Sequence, residues 1–285
     1  MRLRAETSEL ASSDFDFVRT LVKQHSSISL DDSKGYLVSS RLLPIARDEG
    51  FESVARLIAH LRSRPHGRVH TNVLEAVATT ETSFFRDFHP YEALRDQVIP
   101  ELIRKRRETT RMLSIWSGAC SSGQEPYSVA MVLRQVIPDI DTWTIQILAS
   151  DFSGAMVERA REGIFKQLEV NRGLPARLLV RYFDQHGASW WAKDEVKRMV
   201  TFFQQNLDRE WSRIPQVDLL FLRNVLIYFD VETRRRILRR VRRHLRPDGY
   251  LIMGAAETTL SLDESFKRVQ FGRAAFYQPG EGSGP

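Results

Sequence analysis

The chain has 285 residues, 42% of them hydrophobic and 27% charged, with a formal net charge of +6. That balance belongs to a folded protein with one large domain, or with a small domain joined to a larger one, and it excludes a fibrous, disordered or miniprotein scaffold. The longest apolar stretches, such as "VDLLFL", are too short to cross a bilayer. The opening "MRLRAETSELASSDFD" lacks the apolar core of a secretory signal. A lone cysteine, Cys120, forms no internal disulfide and agrees with a reducing compartment, so a cytoplasmic location is expected, without insertion into a membrane. The positive charge suits phosphate or an acidic protein partner equally well.

In chain order, the segment up to about Asp87 carries helical periodicity and no convincing strand. Asp14 or Ser13 is expected to cap a first helix bearing Phe17, Val18, Leu21 and Val22. "GYLVSSRLLPIARDEG" predicts another, with Pro44 as a kink or break. From Arg111 the pattern changes. "RMLSIWSG" predicts a strand, "GACSSG" a glycine turn, and "EPYSVAMVLRQVI" a helix with Pro126 in its first turn. "WTIQILASD" and "GAMVERAREGI" repeat the strand-then-helix order, as do "QVDLLFLRNV" and "VETRRRILRRVRRHL", and "GYLIMGAAE" adds a further strand. Such alternation predicts an α/β fold with a parallel, doubly wound sheet. The interruption from about Tyr182 to Phe203 predicts a small antiparallel β-subdomain, and "PGEGSGP" a disordered tail.

The turn Gly118–Gly123 keeps the outer glycines of G-x-G-x-x-G but has Cys120 in the middle. In a pyrophosphate site that middle glycine admits the phosphates, so a side chain there argues against a dinucleotide and leaves room for an adenosine-bearing ligand without phosphate. Asp151, ending the second strand, can accept both ribose hydroxyls or can cap the following helix. Glu125 can complement a helix dipole or hold an ammonium group. Cys120 has no His–Asp partnership beside it and reads as a packing residue. His66 and His70, four apart, lack the third ligand of a metal site, so no metal is expected.

Five stretches in order, "ATTETSFFRD" (Ala78 to Asp87), "CSSGQEPYS", "ASDFS", "NL" (Asn206 and Leu207) and "RNVLIYFD" (Arg223 to Asp230), resemble the CheR-type chemotaxis receptor methyltransferases over nearly the whole chain. The resemblance implies methylation of receptor glutamates by S-adenosylmethionine, yielding glutamyl methyl esters and S-adenosylhomocysteine. It implies a helical receptor-docking domain over 1–87, a Rossmann-like methyltransferase domain over 88–280 with the β-subdomain at about 182–203, and a flexible tail over 281–285. The matching cofactor positions are Thr80, Thr82, Arg86, Glu125, Asp151, Asn206, Leu207, Arg223 and Asn224. Arg86 is expected to orient a carboxylate and Tyr228 to line the methyl-transfer site, with Phe84 and Phe85 packing between domains. The family often has Asn where this chain has Thr80, Thr where it has Ser122 and Glu where it has Gln124.

The implied partner is the cytoplasmic helical region of the receptors, met by a monomer through basic residues such as Lys34, Arg41 and Arg47. The arginines of "VETRRRILRRVRRHL" and the "RKRR" run at 104–107 read as solvated faces. Two rivals stand beside this reading. A nucleic-acid methyltransferase would suit the charge, but an Asn/Asp-Pro-Pro-aromatic turn is missing where "RNVLIYFD" stands. A cofactor-binding signalling module without transferase activity would keep the same motifs.

Overall fold

A computed structural model describes residues 10–280, so the first nine residues and the expected tail at 281–285 lie outside the described part. The chain forms two compact units, one comprising the residues up to Thr79 with Tyr228–Asp230, the other Thr80–Ile227 with the remainder.

Among its described residues the first unit contains four α-helices, α1 (Ser12–Ser26), α2 (Gly35–Asp48), α3 (Val54–Ser63) and α4 (Arg68–Val77). Each buries one apolar stripe. In α1 the buried positions are Phe15, Val18, Leu21 and Val22, whose spacing puts them on one face of a 3.6-residue helix. Ala11 is its N-cap and makes no side-chain cap bond, so neither Ser13 nor Asp14 caps it; Asp14 instead pairs with Arg62 of α3 at 3.0 Å. Pro44 lies inside α2 without ending it; its missing backbone bond and the clash of its ring with the preceding turn are offset by the buried stripe of Val38, Leu42 and Ala46. The strand-like pairing of Ile28 with Phe229 ties Tyr228–Asp230 into this unit.

The second unit opens with α5 (His89–Ala93), a π-type turn and α6 (Ile99–Arg106). Then come β1 (Met112–Gly118), α7 (Gln124–Val136), β2 (Thr144–Asp151), α8 (Gly154–Glu162) and β3 (Ile164–Lys166). Helices α9 (Gln167–Asn171) and α10 (Ala176–Tyr182) precede β4 (Phe183–His186) and β5 (Ser189–Ala192), and α11 (Asp194–Lys197) precedes β6 (Val200–Gln204). The chain continues with β7 (Val217–Leu222), α12 (Val231–His244), β8 (Leu245–Met253), β9 (Phe266–Phe271) and β10 (Ala274–Pro279).

Seven strands form one sheet in the order β6-β2-β1-β7-β8-β10-β9. The first five are mutually parallel, and β10 and β9 add antiparallel. All six residues of β7 are buried, the run expected of a strand covered on both faces. Burying each such Leu or Phe contributes about 1.5–3 kcal/mol. Strand order reverses between β1 and β7, making a crevice beyond their carboxyl ends, where open α/β sheets place ligands.

The small antiparallel sheet is real but differently bounded from the expected 182–203. Its order is β3-β5-β4, so its first strand comes from Ile164–Lys166, while Val200–Gln204 joins the main sheet parallel to β2. A three-residue strand is too short for alternation to reveal. The run "VTFF" carries no information about which sheet will receive it.

The "RKRR" run also differs from its expectation. Arg106 is not a solvated side chain, since it bridges Asp218 at 2.9 Å and Asp248 at 2.7 Å. Asp218, inside β7, also accepts the backbone N–H of Ser114, so a carboxylate within a buried strand is fully partnered.

Candidate active site

The turn after β1 is a tight reversal. Ala119 and Ser121 have positive φ values of 59° and 50°, and Gly123 one of 94°. Gly118 has no room for a side chain, because a Cβ would lie 2.7 Å from Leu222 and 3.3 Å from Leu207. Leu222, at the end of β7, and Leu207, after β6, thus close directly on the end of β1. Gln124 and Ser122 are both buried, and the Ser122 hydroxyl donates to Gln124 Oε1 at 2.9 Å. Cys120 is buried and its thiol is pushed well up, first by burial and then by the charges of Asp151 and Glu125. It packs and does not act as a nucleophile.

Asp151 ties two turns together. Its Oδ2 accepts the Ser121 N–H at 2.8 Å and its Oδ1 the Ser153 N–H at 2.9 Å. The cap of α8 is Ser153, whose hydroxyl accepts the Met156 N–H, so the helix-capping role open to Asp151 is filled by its neighbour. Asp151 keeps the strand-end position that suits a ribose acceptor.

Beyond β7 lies a buried ionic knot. The Arg223 side chain is only 2% exposed. One terminal nitrogen donates to Glu125 Oε2 at 3.2 Å and to the Tyr91 hydroxyl at 3.3 Å; the other donates to the Arg86 carbonyl at 2.7 Å and to Asp87 Oδ2 at 2.8 Å. Ser117 of β1 donates to Glu125 Oε1 at 2.7 Å. Burial pushes the Glu125 carboxyl above its ordinary range, while Arg223 and Ser117 pull it back. Burial also opposes the charge of Arg223, but Tyr91, Glu125 and Asp87 outweigh it and hold the guanidinium protonated. Glu125 is therefore the softer partner of the pair, and Arg223 remains the cation.

The segment from Thr80 to Phe88 lies across this end of the sheet. The Thr80 carbonyl accepts the Ser121 hydroxyl at 2.5 Å, and the Phe85 N–H donates to Ser128 at 3.0 Å. Phe85, Asp87 and Phe88 all have positive φ, at 47°, 66° and 52°. Left-handed conformations cost free energy in residues with a Cβ and persist where surroundings hold them, and here Arg223 grips both Arg86 and Asp87. Phe84 packs against Phe165 and Phe183 at 4.9 and 5.6 Å, so it anchors the segment to the small sheet within the second unit. The half-buried Arg86 donates to the Glu81 carbonyl at 3.2 Å.

The structure places Thr80, Thr82 and Arg86 on one segment, Glu125 at the start of α7, Asp151 at the end of β2, Asn206 and Leu207 after β6, and Arg223 and Asn224 after β7. Asn206 Oδ1 accepts the Asp208 N–H, and the Leu207 carbonyl accepts from Trp211. Tyr228 groups with the helical unit, where its carbonyl accepts the Ser29 N–H at 2.8 Å. Its expected part in methyl transfer therefore rests on the resemblance. In the same unit Arg41 is engaged with the Val77 carbonyl and the Thr79 hydroxyl, whereas Lys34 and Arg47 are exposed. His66 stacks on His25 and lies against His70 at 4.4 and 5.2 Å; among the described residues no cluster of three or more His, Cys, Asp or Glu is placed to hold a metal.

Sequence reasoning missed Tyr91, Ser117 and Glu257. Glu257 is 8% exposed and its carboxylate accepts main-chain N–H groups from Asn224, Val225, Leu226 and Gly254 at 2.7–2.9 Å, with Ile227 at 3.3 Å. The available signal was the charged residue in "GAAE", just beyond the apolar end of β8.

The family model described as "CheR methyltransferase, SAM binding domain" matches residues 80–275, and "CheR methyltransferase, all-alpha domain" matches residues 13–76. The chain is 37% identical over 270 residues to the "Chemotaxis protein methyltransferase Cher2" of Pseudomonas putida, covering 93% of this chain and 97% of the relative. It is 37% identical over 273 residues to the "Chemotaxis protein methyltransferase 1" of Pseudomonas aeruginosa, covering 94% and 98%. To a Vibrio cholerae protein named "Chemotaxis protein methyltransferase 1" it is 36% identical over 271 residues, covering 92% and 95%.

Proposed function

We propose that this chain, which belongs to the CheR methyltransferase family through both its helical and its α/β parts, methylates glutamate side chains of chemoreceptors to give glutamyl methyl esters. The chain is an S-adenosylmethionine-dependent methyltransferase by that membership. Its acceptor is the proposal.

The strand ends fit the cofactor. Asn224 Oδ1 and Arg223 Nε, on adjacent residues at the crevice, are buried without a hydrogen-bond partner, and Asp151 stands at the end of β2 where an adenosine ribose binds in doubly wound folds. Asp151 would accept the ribose hydroxyls, Glu125 would hold the methionyl ammonium, and Asn206, Leu207, Thr80, Thr82 and Asn224 would complete the enclosure. When bound, the cofactor supplies an electrophilic sulfonium methyl group. Arg86 would orient a carboxylate through its planar fork.

The observation that carries the acceptor assignment is the commitment of the ionisable groups at the strand ends. Asp151 is engaged with two backbone N–H groups, Glu125 and Asp87 with Arg223, and Cys120 is held as a thiol. Such a site positions and desolvates; it is poorly set to remove a proton. A glutamate acceptor has an ordinary pKa of about 4.3 and arrives ionised at neutral pH, so alignment is what the chemistry asks of the enzyme, and alignment can supply about 7–11 kcal/mol of barrier lowering. The relatives' names support the chemosensory acceptor over a nucleic acid or a transferase-inactive module. Among the described residues no helix is long and apolar enough to cross a membrane; a cytoplasmic monomer meeting the receptors' cytoplasmic helices is part of the proposal.

The test is transfer of radiolabelled methyl from S-adenosylmethionine to receptor-containing membranes, followed by mild alkali. Alkali-labile label on a receptor band, absent with Asp151→Ala, is the expected result. Label that resists alkali, or that appears only on nucleic acid, would overturn the ester assignment.

A further inference from the structure

We infer that Glu257 is a positioning residue for the cofactor, acting through the conformation of Asn224. The inference rests on the reading of Asn224 as a cofactor contact, and adds to it the group that holds Asn224 ready.

The loop leaving β7 runs into a 3-10 turn over Leu226–Tyr228, and the N–H groups that lead into that turn find their acceptor outside the loop. Asn224 adopts a left-handed φ of 56°, a conformation that asparagine tolerates but that still needs holding in place. Successive N–H groups of residues 224 to 227 turn inward, and the carboxylate that receives them comes from a different part of the chain. Glu257 Oε2 accepts from Asn224 at 2.7 Å and from Gly254 at 2.8 Å. Its Oε1 accepts from Val225 at 2.9 Å, Leu226 at 2.7 Å and Ile227 at 3.3 Å. An anion in a concave nest of main-chain donors is held by several charge-assisted bonds at once. The ends of β7 and β8 are thereby joined by one side chain.

The neighbouring glycine shows how closely the parts fit. A Cβ on Gly254 would stand 2.7 Å from Asn224 Nδ2, 2.8 Å from Glu257 Oε2 and 2.9 Å from the Asn224 backbone nitrogen. The Asn224 carboxamide therefore lies directly on the Gly254 backbone, beside the carboxylate. With its amide end seated there, the carboxamide is left with a buried oxygen that has no partner. A buried acceptor without a donor is costly; a ligand donor in the crevice would satisfy it. Glu257 fixes the main chain on which that acceptor is presented, and the Gly254 contact fixes the side chain.

Glu257→Gln keeps the size of the side chain but turns one acceptor into a donor facing N–H groups. It is expected to weaken S-adenosylhomocysteine binding, measured by calorimetry, by roughly 10- to 100-fold. The apparent KM for S-adenosylmethionine should rise with it, while the KM for receptor is unmoved. Hydrogen exchange should quicken at residues 224–227 and at Gly254, the donors to Glu257, and not along the strands of the sheet. Asn224→Ala should lose affinity as well, and the double variant should lose less than the product of the two single losses, because both remove one arrangement. Gly254→Ala, which leaves the charge of Glu257 intact, provides a second route to the same readout if Glu257→Gln does not fold. Unaltered cofactor affinity in Glu257→Gln, or losses that multiply as independent sites, overturns the positioning role while leaving Asn224 as a contact. Unaltered affinity in Asn224→Ala removes the contact itself and the inference with it.

Discussion

Helix α12 and the loop after β7 both depend on arginine, and they use it in opposite ways. Along α12 the buried face is Thr233, Ile237, Leu238 and Val241. Its arginines lie around the remainder, some in pairs such as Arg235 with Glu232, whose side chains are 41% and 70% exposed. Exposed pairs of this kind contribute about 0–1 kcal/mol. Arg236 and Arg240 do more, sharing Asp208 at 2.7 and 3.3 Å and so linking the helix to the segment after β6. In the ionic knot a single arginine, 2% exposed, gathers two carboxylates, a tyrosine hydroxyl and a backbone carbonyl. The many arginines set net charge, and the solitary one organises the site. Charge counted along a sequence therefore says little about which charges matter.

The largest effect expected from breaking this contrast is at Arg223. Arg223→Ala leaves the buried Glu125 and the partly exposed Asp87 without their cation, and removal of one member of a buried ionic group costs about 3–5 kcal/mol. Urea denaturation should show that loss. Arg223→Lys should recover only part of it, because an ammonium cannot span the four acceptors that the guanidinium fork reaches.

A smaller effect concerns Glu125, whose folded carboxyl titrates above its ordinary value because of burial. A raised folded pKa means that the folded state binds the proton more tightly than the unfolded state. Stability from this group is therefore present at pH below its ordinary value and declines as pH rises from there through the raised folded one. Denaturation midpoints measured across that window should fall less with pH in Glu125→Gln than in the parent. An equal slope in both would show that another group controls the limb.

The smallest effect is expected on α12. Arg239 and Arg243 are exposed, and Arg239→Ala or Arg243→Ala should change stability by no more than about 0.5 kcal/mol. Thermal denaturation checks this, and a loss approaching that of Arg223→Ala would erase the distinction between the two regions.

Much of the fold was legible because local spacing carries it. The strands β1, β2, β7 and β8 and the helices between them follow from apolar runs alternating with amphipathic segments, and the reversal at Gly118–Gly123 from glycines that its backbone and packing require. The motif positions Glu125, Asp151, Arg223 and Asn224 could also be named from sequence. Their working partners could not. Asp151 was open to a cap role that Ser153 takes, two residues later, and the choice depends on which oxygen the α8 backbone meets.

What the sequence alone determined about this protein is the alternation of β1, β2, β7 and β8 with the helices between them and the chemical types at the strand ends, written in residue spacing over a few turns or strand positions, together with the family, carried by five motifs spread along the chain. Tertiary structure decided the partners. Arg223 meets Glu125 from 98 residues away and Asp87 from 136, and Glu257 reaches back 33 residues to the N–H of Asn224. It also decided that Val200–Gln204 would extend the main sheet and that Ile164–Lys166 would begin the small one. The physical reason is common to all of these: periodicity specifies which face of an element is buried, whereas strand order specifies what lies opposite, and only the assembled sheet brings the ends of β1, β7 and β8 together around one arginine and one glutamate.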